Sequence, residues 1–244
     1  MWLRSTVLLL LIAAQSLPGA GPIRMLIVTG GHDEKNFLEM FRSMAGITFK
    51  NARFKQDAEA LLAPEAARNF DAMLFYDMNQ NPEPHYKSWM QLLEQGMPTV
   101  FLHHTIGSYE GVPDTDRVFG GSVCFSWRWV TVPRPCADKP RGTSLDDVPF
   151  RVRIADPAHP ITKGMSDFGI KDETYRNIYV RPDVHVLLTT DEPTNESRIG
   201  WTLRYGNSPI VYLQLGHGRD AYENPNFRRL VERSIRWVTG RLEN

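Results

Sequence analysis

Residues 98–111 read PTVFLHHTIGSYEG. A short apolar run, Pro98 to Leu102, ends on two adjacent histidines and then breaks into a loop carrying Gly107, Ser108 and Gly111. Just upstream, Trp89, Met90, Leu92 and Leu93 are spaced for one face of a helix, which Gly96 and Pro98 stop. Helix, short apolar strand and glycine turn make one βα unit. A strand that finishes on His103-His104 leaves three readings open: packing, a general base or a metal site.

The same unit recurs on either side. Arg24 to Thr29, RMLIVT, runs into Gly30-Gly31 and a segment with Phe37, Met40, Phe41 and Met44 on one face. Asp71 to Tyr76, DAMLFY, is a further short apolar run. Strands of continuous apolar character alternating with amphipathic helices argue for an α/β fold with a parallel sheet covered on both faces. Asp114 to Asp147 is rich in Pro, Gly, Trp and charge without a clean period, and reads as a long loop or insertion that shapes a site. Phe150–Ile154, Pro182–Thr190, Ile199–Arg204 and Pro209–Leu215 read as strands, with Gly206-Asn207 as a hairpin turn between the last two. A closing helix begins at Asn224-Pro225 and ends near Gly240, with Phe227, Leu230, Val231, Ile235 and Val238 on its apolar face.

Charge is balanced in the 244 residues, with 28 Lys+Arg against 28 Asp+Glu. That balance offers no electrostatic funnel for nucleic acid or an acidic polymer. The N-terminus differs from the rest. MWLR is a short positive region, Thr6 to Ala14 an apolar core, and Ala14-Gln15-Ser16 a small-x-small cleavage pattern. We expect a signal peptide over residues 1–20, cleaved near 16–20, a domain over 23–244, and a periplasmic or secreted product with no membrane span after cleavage. Two cysteines occur, Cys124 and Cys136. In an oxidising compartment they can pair; otherwise they are two unrelated thiols.

In a parallel α/β sheet, ligands bind beyond the carboxyl ends of the strands. Three such ends carry histidine here: His32 after Gly30-Gly31, His103 and His104 after PTVFL, and His217 between Gly216 and Gly218. Asp77 follows the fourth run, and Asp172-Glu173 adds carboxylates. Histidines with a carboxylate suit Zn²⁺ or another divalent metal with an open position, and the same groups without metal suit general acid–base work. Catalytic roles are expected for His104, His217 and Glu173, metal ligation for His32, His104 and His217, and substrate contacts for His32, His103, Tyr109 and Trp127. His32 can equally cap the following helix. Strand alternation turns one of His103 and His104 to the rim and the other into packing. Trp127, Trp129 and Tyr109 can floor a sugar pocket by stacking or serve the core. His85, His159 and His185 lie in loops or within a strand and are set aside. No G-x-S-x-G, G-x-C-x-G or P-loop is present, and Ser108 falls one position away from an elbow serine.

Four stretches in order carry a resemblance: LIVTGGHDEKNF, VFLHHTIGSY followed by FGGS, DPAHPITKGMSDFGIKDETY, and IGWTLRYGNSPIVYLQLGHGRDAYENPNFRRLVERSIRWVTG. They span Leu26 to Gly240, and together the chain resembles the ThuA-like family, named for trehalose utilisation and related to the class I glutamine-amidotransferase-like fold. The resemblance implies a three-layer α/β/α flavodoxin-like sandwich with a mostly parallel sheet, and a small-molecule carbohydrate partner such as a sugar or keto-glycoside. The resemblance leaves the reaction undefined; we expect an exported hydrolase or isomerase, with a non-catalytic carbohydrate-binding or accessory module as the alternative. Where the amidotransferase fold places its cysteine, this chain has His103, His104 and Thr105, so a thioester route is closed there.

Overall fold

The structure, a computed structural model, describes residues 21–31, 34–78, 86–109, 115–124 and 136–242. The expected signal peptide, and with it the cleavage site, lies outside the described residues, as do His32, His85, Trp127 and Trp129. No helix among the described residues is long and apolar enough to cross a membrane.

In chain order the elements are β1 (Ile23–Gly30), α1 (Glu34–Arg42), β2 (Ile47–Arg53), α2 (Ala58–Leu62), α3 (Pro64–Ala67), β3 (Ala72–Asp77), α4 (Tyr86–Glu94) and β4 (Thr99–Leu102). A 3₁₀ turn (His103–Gly107) leads to α5 (Thr115–Phe119), β5 (Gly121–Ser122), β6 (Thr143–Ile154), β7 (Phe168–Arg176) and β8 (Tyr179–Val180). The chain closes with β9 (His185–Thr189), β10 (Arg198–Tyr205), β11 (Ser208–Leu213), α6 (Arg219–Glu223) and α7 (Pro225–Val238).

Among the described residues, nine strands form one sheet in the order β2-β1-β3-β4-β11-β10-β9-β6-β7. The first five pair in parallel, and every later neighbour is antiparallel. Ranked by position in the chain, the parallel half runs 2-1-3-4-5, the flavodoxin-like order. Alternation along each central strand feeds two cores. Met25 and Ile27 of β1, Leu74 and Tyr76 of β3, and Val211 and Leu213 of β11 pack with α1, α6 and α7. Leu26 and Val28, Met73 and Phe75, and Ile210 and Tyr212 pack on the other face with α2 to α5. These two cores make the three-layer sandwich. Each fully buried Leu, Ile or Phe on those faces contributes about 1.5–3 kcal/mol.

Helix α7 begins as its sequence requires. Asn224 accepts hydrogen bonds from the Asn226 and Phe227 amides, and Pro225 occupies the first turn. The hairpin at Gly206-Asn207 joins β10 to β11, pairing Tyr205 with Ser208. The span read as one long loop, Asp114 to Asp147, instead contains α5 and β5 and already enters β6 at Thr143. Strands β2 and β7 lie at the two edges of the sheet, and charged residues interrupt both, Lys50 and Arg53 in β2 and Lys171, Asp172, Glu173 and Arg176 in β7, which is why neither shows an apolar run. Of the two readings of the cysteines, the paired one holds: Cys124 and Cys136 form a disulfide.

The turn after β4 is clamped to the end of β3. Asp77 is wholly buried, and its carboxylate accepts from Tyr109 Oη at 3.0 Å. Its backbone carbonyl accepts from Ser108 Oγ at 2.7 Å, and Thr105 Oγ donates to the Phe75 carbonyl at 3.1 Å. Tyr109, expected to touch substrate, is thereby fully buried beneath the rim against Trp89. Burial pushes the Asp77 carboxyl up to about 7, against the hydrogen bonds from Tyr109 and Thr105 that pull it down. A carboxyl raised on folding contributes stability that is complete below its unfolded value of about 4 and is lost as pH rises through its folded value. Urea unfolding from pH 4.5 to 7.5 should therefore show wild type losing stability relative to Asp77→Asn as pH rises. A stability difference constant across that window would contradict the burial of this carboxyl.

Candidate functional site

The parallel strands β4 and β11 deliver their carboxyl ends side by side, with Leu102 opposite Leu213. His103 follows immediately and leaves the strand with φ 52°, a left-handed backbone unusual for a residue with a Cβ. Two bonds hold it there: Tyr212 Oη donates to the His103 carbonyl at 2.9 Å, and His103 Nδ1 lies 2.6 Å from the Gln214 carbonyl. A carbonyl only accepts, so Nδ1 carries the proton and Nε2 is aimed away from the strand. The reversed backbone overrides simple strand alternation. His103, fully buried, enters the cluster described below, whereas His104 turns edge-on to the Tyr76 ring, 4.6 Å between centroids.

After β11 the chain turns at Gly216, whose φ is 123° and where a Cβ would come within 3.0 Å of Phe227. Glycine alone fits both demands. The turn presents His217, with α6 following.

The third component arrives from the far edge of the sheet. Strand β6 pairs with β9 only through Arg153 and Ile154, and the rest of it pairs with β7. This hairpin runs beyond the sheet and reaches back to the β11–α6 turn. Asp172 of β7, buried, accepts from the Gly216 amide at 2.7 Å, the His217 amide at 2.8 Å and the Glu173 amide at 2.9 Å. Burial raises the Asp172 carboxyl; the His103 ring and these three amides act against it. A bulge between Leu145 and Val148 of β6 bends the same hairpin, with Asp146 Oδ1 3.8 Å from His217 Nε2.

Three ligand atoms converge where these elements meet. Glu173 Oε2 lies 2.8 Å from His217 Nδ1 and 3.0 Å from His103 Nε2, and the two nitrogens are 3.1 Å apart. Tyr175 Oη, fully buried, is 3.1 Å from His103 Nε2. Burial alone would raise the Glu173 carboxyl, but the hydrogen bonds from His103 and His217 outweigh it and hold it well below the usual carboxylate range. The Glu173 hydrogen bond raises His217 above its ordinary value, against desolvation that lowers it. His217 is half-buried and, with Glu173, lines a pocket of about 190 Å³ bordered by Asp147, Lys171, Gly218 and Asp220. Lys171 spans Asp147 at 2.8 Å and Asp220 at 3.1 Å on its wall.

Among the described residues, the group able to hold one ion is His103, Glu173 and His217. Glu173 and His217 were both expected. His103 joins them in place of His104, so of the metal set His32, His104 and His217 the described group retains only His217. Asp172, Tyr175 and Gln214 were not assigned roles from the sequence. The stretch KDETY did signal Asp172 and Tyr175, since three polar residues on a buried strand need partners.

The sequence profile of the ThuA family, described as trehalose utilisation, matches residues 24–238. A ThuA-like protein from Parabacteroides merdae superposes with a TM-score of 0.70 at 19% identity, covering 92% of each chain. One from Bacteroides uniformis gives 0.68 at 18% identity, over 92% of this chain and 94% of that one. A glutamine amidotransferase from Thermotoga maritima gives 0.51 at 12% identity, over 90% and 99%, which shows a shared fold alone. No curated protein matches the chain.

If Asp172 fixes the turn that carries His217, Asp172→Ala should cost about 1–3 kcal/mol in urea unfolding, the penalty for orphaned buried donors. Hydrogen exchange should then show the Gly216 and His217 amides losing protection while β1 and β3 keep theirs. Unchanged protection at those two amides would refute the tie.

Proposed function

The chain belongs to the ThuA, or trehalose utilisation, family, and we propose that it is an exported enzyme acting on a sugar or keto-glycoside as a hydrolase or isomerase. Family membership supplies the carbohydrate link. The observation that carries the enzymatic reading is the convergence of His103, Glu173 and His217 at the mouth of a pocket. A binding module needs hydrogen-bond partners and aromatic faces. It does not need two imidazoles and a carboxylate packed atom to atom, one of them wholly buried, because desolvating such groups is costly.

In this reading the sugar enters over Lys171 and Asp220, and its reacting oxygens meet His217 and Glu173. His103 completes the cluster from below, held by Gln214. His104 supports the turn from behind, against Tyr76. The Cys124–Cys136 bond supports an oxidising compartment and hence a periplasmic or secreted location.

A panel of trehalose, other glycosides and their keto derivatives tests the proposal by product analysis. Turnover of at least one should fall by about 10²–10⁴-fold in Glu173→Gln and His217→Gln, with His159→Ala, remote from the cluster, as the unaffected control. Sugar-dependent thermal stabilisation without turnover of any panel member would instead make the protein an accessory binding module.

A further inference from the structure

We infer that His103 Nε2, Glu173 Oε2 and His217 Nδ1 form one face of a six-coordinate site for a divalent cation of the Mn²⁺, Fe²⁺ or Co²⁺ type, whose opposite face takes neighbouring oxygens of a sugar. The sugar clause rests on the carbohydrate reading above; the cation clause stands without it.

His103 Nδ1 is committed as a donor to the Gln214 carbonyl, which leaves Nε2 as the ring nitrogen that faces Glu173 Oε2, 3.0 Å away. His217 Nδ1 faces the same point, 2.8 Å from the carboxylate oxygen and 3.1 Å from His103 Nε2. A single cation satisfies all three atoms at once.

The edges of the triangle match one face of a six-coordinate ion. An ion about 2.1 Å from each atom would subtend angles of roughly 84°, 91° and 95° across edges of 2.8, 3.0 and 3.1 Å. Those lie near the right angles of a six-coordinate site. Tetrahedral Zn²⁺ at the same bond length needs edges of about 3.3–3.4 Å, so the triangle would have to open on every side. Two histidines and one carboxylate on a face, with the other positions open, suit Fe²⁺ and its neighbours.

The surroundings are those of an oriented ligand set. The Gln214 carbonyl fixes the His103 ring by a hydrogen bond, and Asp146 Oδ1 stands 3.8 Å from the outer nitrogen of His217, an electrostatic neighbour beyond hydrogen-bond reach. Asp172 anchors the backbone of both Glu173 and His217. Beyond the triangle lies the pocket of about 190 Å³, which leaves the open face to water and substrate. Adjacent keto and hydroxyl oxygens of a sugar can occupy two neighbouring positions of such an ion.

Full-length protein stripped with chelator and titrated with Mn²⁺ tests the site by electron paramagnetic resonance. Wild type should take one equivalent, and Glu173→Gln and His217→Gln should weaken binding at least about 100-fold, with His159→Ala unchanged and near-ultraviolet circular dichroism confirming that each variant is folded. The wild-type Co²⁺ complex, which needs no variant, should show the weak visible absorption of six-coordinate cobalt. An intense four-coordinate spectrum, no Mn²⁺ uptake, or uptake undiminished in both variants would overturn the inference. A keto-glycoside should lower the water-proton relaxation of bound Mn²⁺ by displacing its waters; no change would remove the sugar clause alone. Turnover by metal-free protein would overturn the site and leave the carbohydrate reading standing.

Discussion

One buried carboxylate organises the rim. Asp172 sits on an edge strand, yet it accepts from two amides of the turn that follows β11 and from the amide of Glu173. Those bonds draw a hairpin from the antiparallel extension across to the centre of the parallel half. Without them, Glu173 and His217 would belong to separate parts of the surface. The arrangement costs desolvation, since Asp172 is almost wholly buried, and three amide donors offset it. Successive residues on a strand face opposite ways, so Asp172 can bind the backbone of the turn while Glu173 addresses its side chain.

The likeness to the amidotransferase fold takes on a specific meaning at β4. In this chain the strand ends in a turn that places His103 where that fold would put a nucleophile, and Cys124 is bound to Cys136. The position lies at the carboxyl end of the parallel strands, where α/β sheets generally bind their ligands. What occupies the position is an imidazole whose outer nitrogen meets a carboxylate and a second imidazole.

Much of the fold was legible in the residues, because buried parallel strands must be continuously apolar and the helices around them periodic. RMLIVT, DAMLFY and PTVFL became β1, β3 and β4, and the Asn224-Pro225 start of the last helix capped as expected. The edge strands β2 and β7 escaped notice since charged residues break up their apolar character. The site was half legible. His217 and Glu173 stood out by context, a histidine between glycines and a carboxylate in KDETY. Choosing between His103 and His104 was beyond the sequence, because a left-handed φ at the first of them is set by Tyr212 and Gln214, over a hundred positions away. Tyr109 misled for a related reason: an aromatic beside a glycine loop can face solvent or the core, and Asp77 decided for the core.

The hairpin that brings Glu173 across the rim also sets a timetable. His103 and His217 are 114 residues apart, and Glu173 stands 44 residues before His217. Contacts of such long sequence separation are the slowest to form, since loop closure comes before any reward. The parallel half itself is unfinished until β11 slots beside β4, and only then does the next turn deliver its imidazole to Asp172. A chain halted before His217 therefore holds no assembled centre. The cluster and the parallel half of the sheet are completed by the same C-terminal stretch.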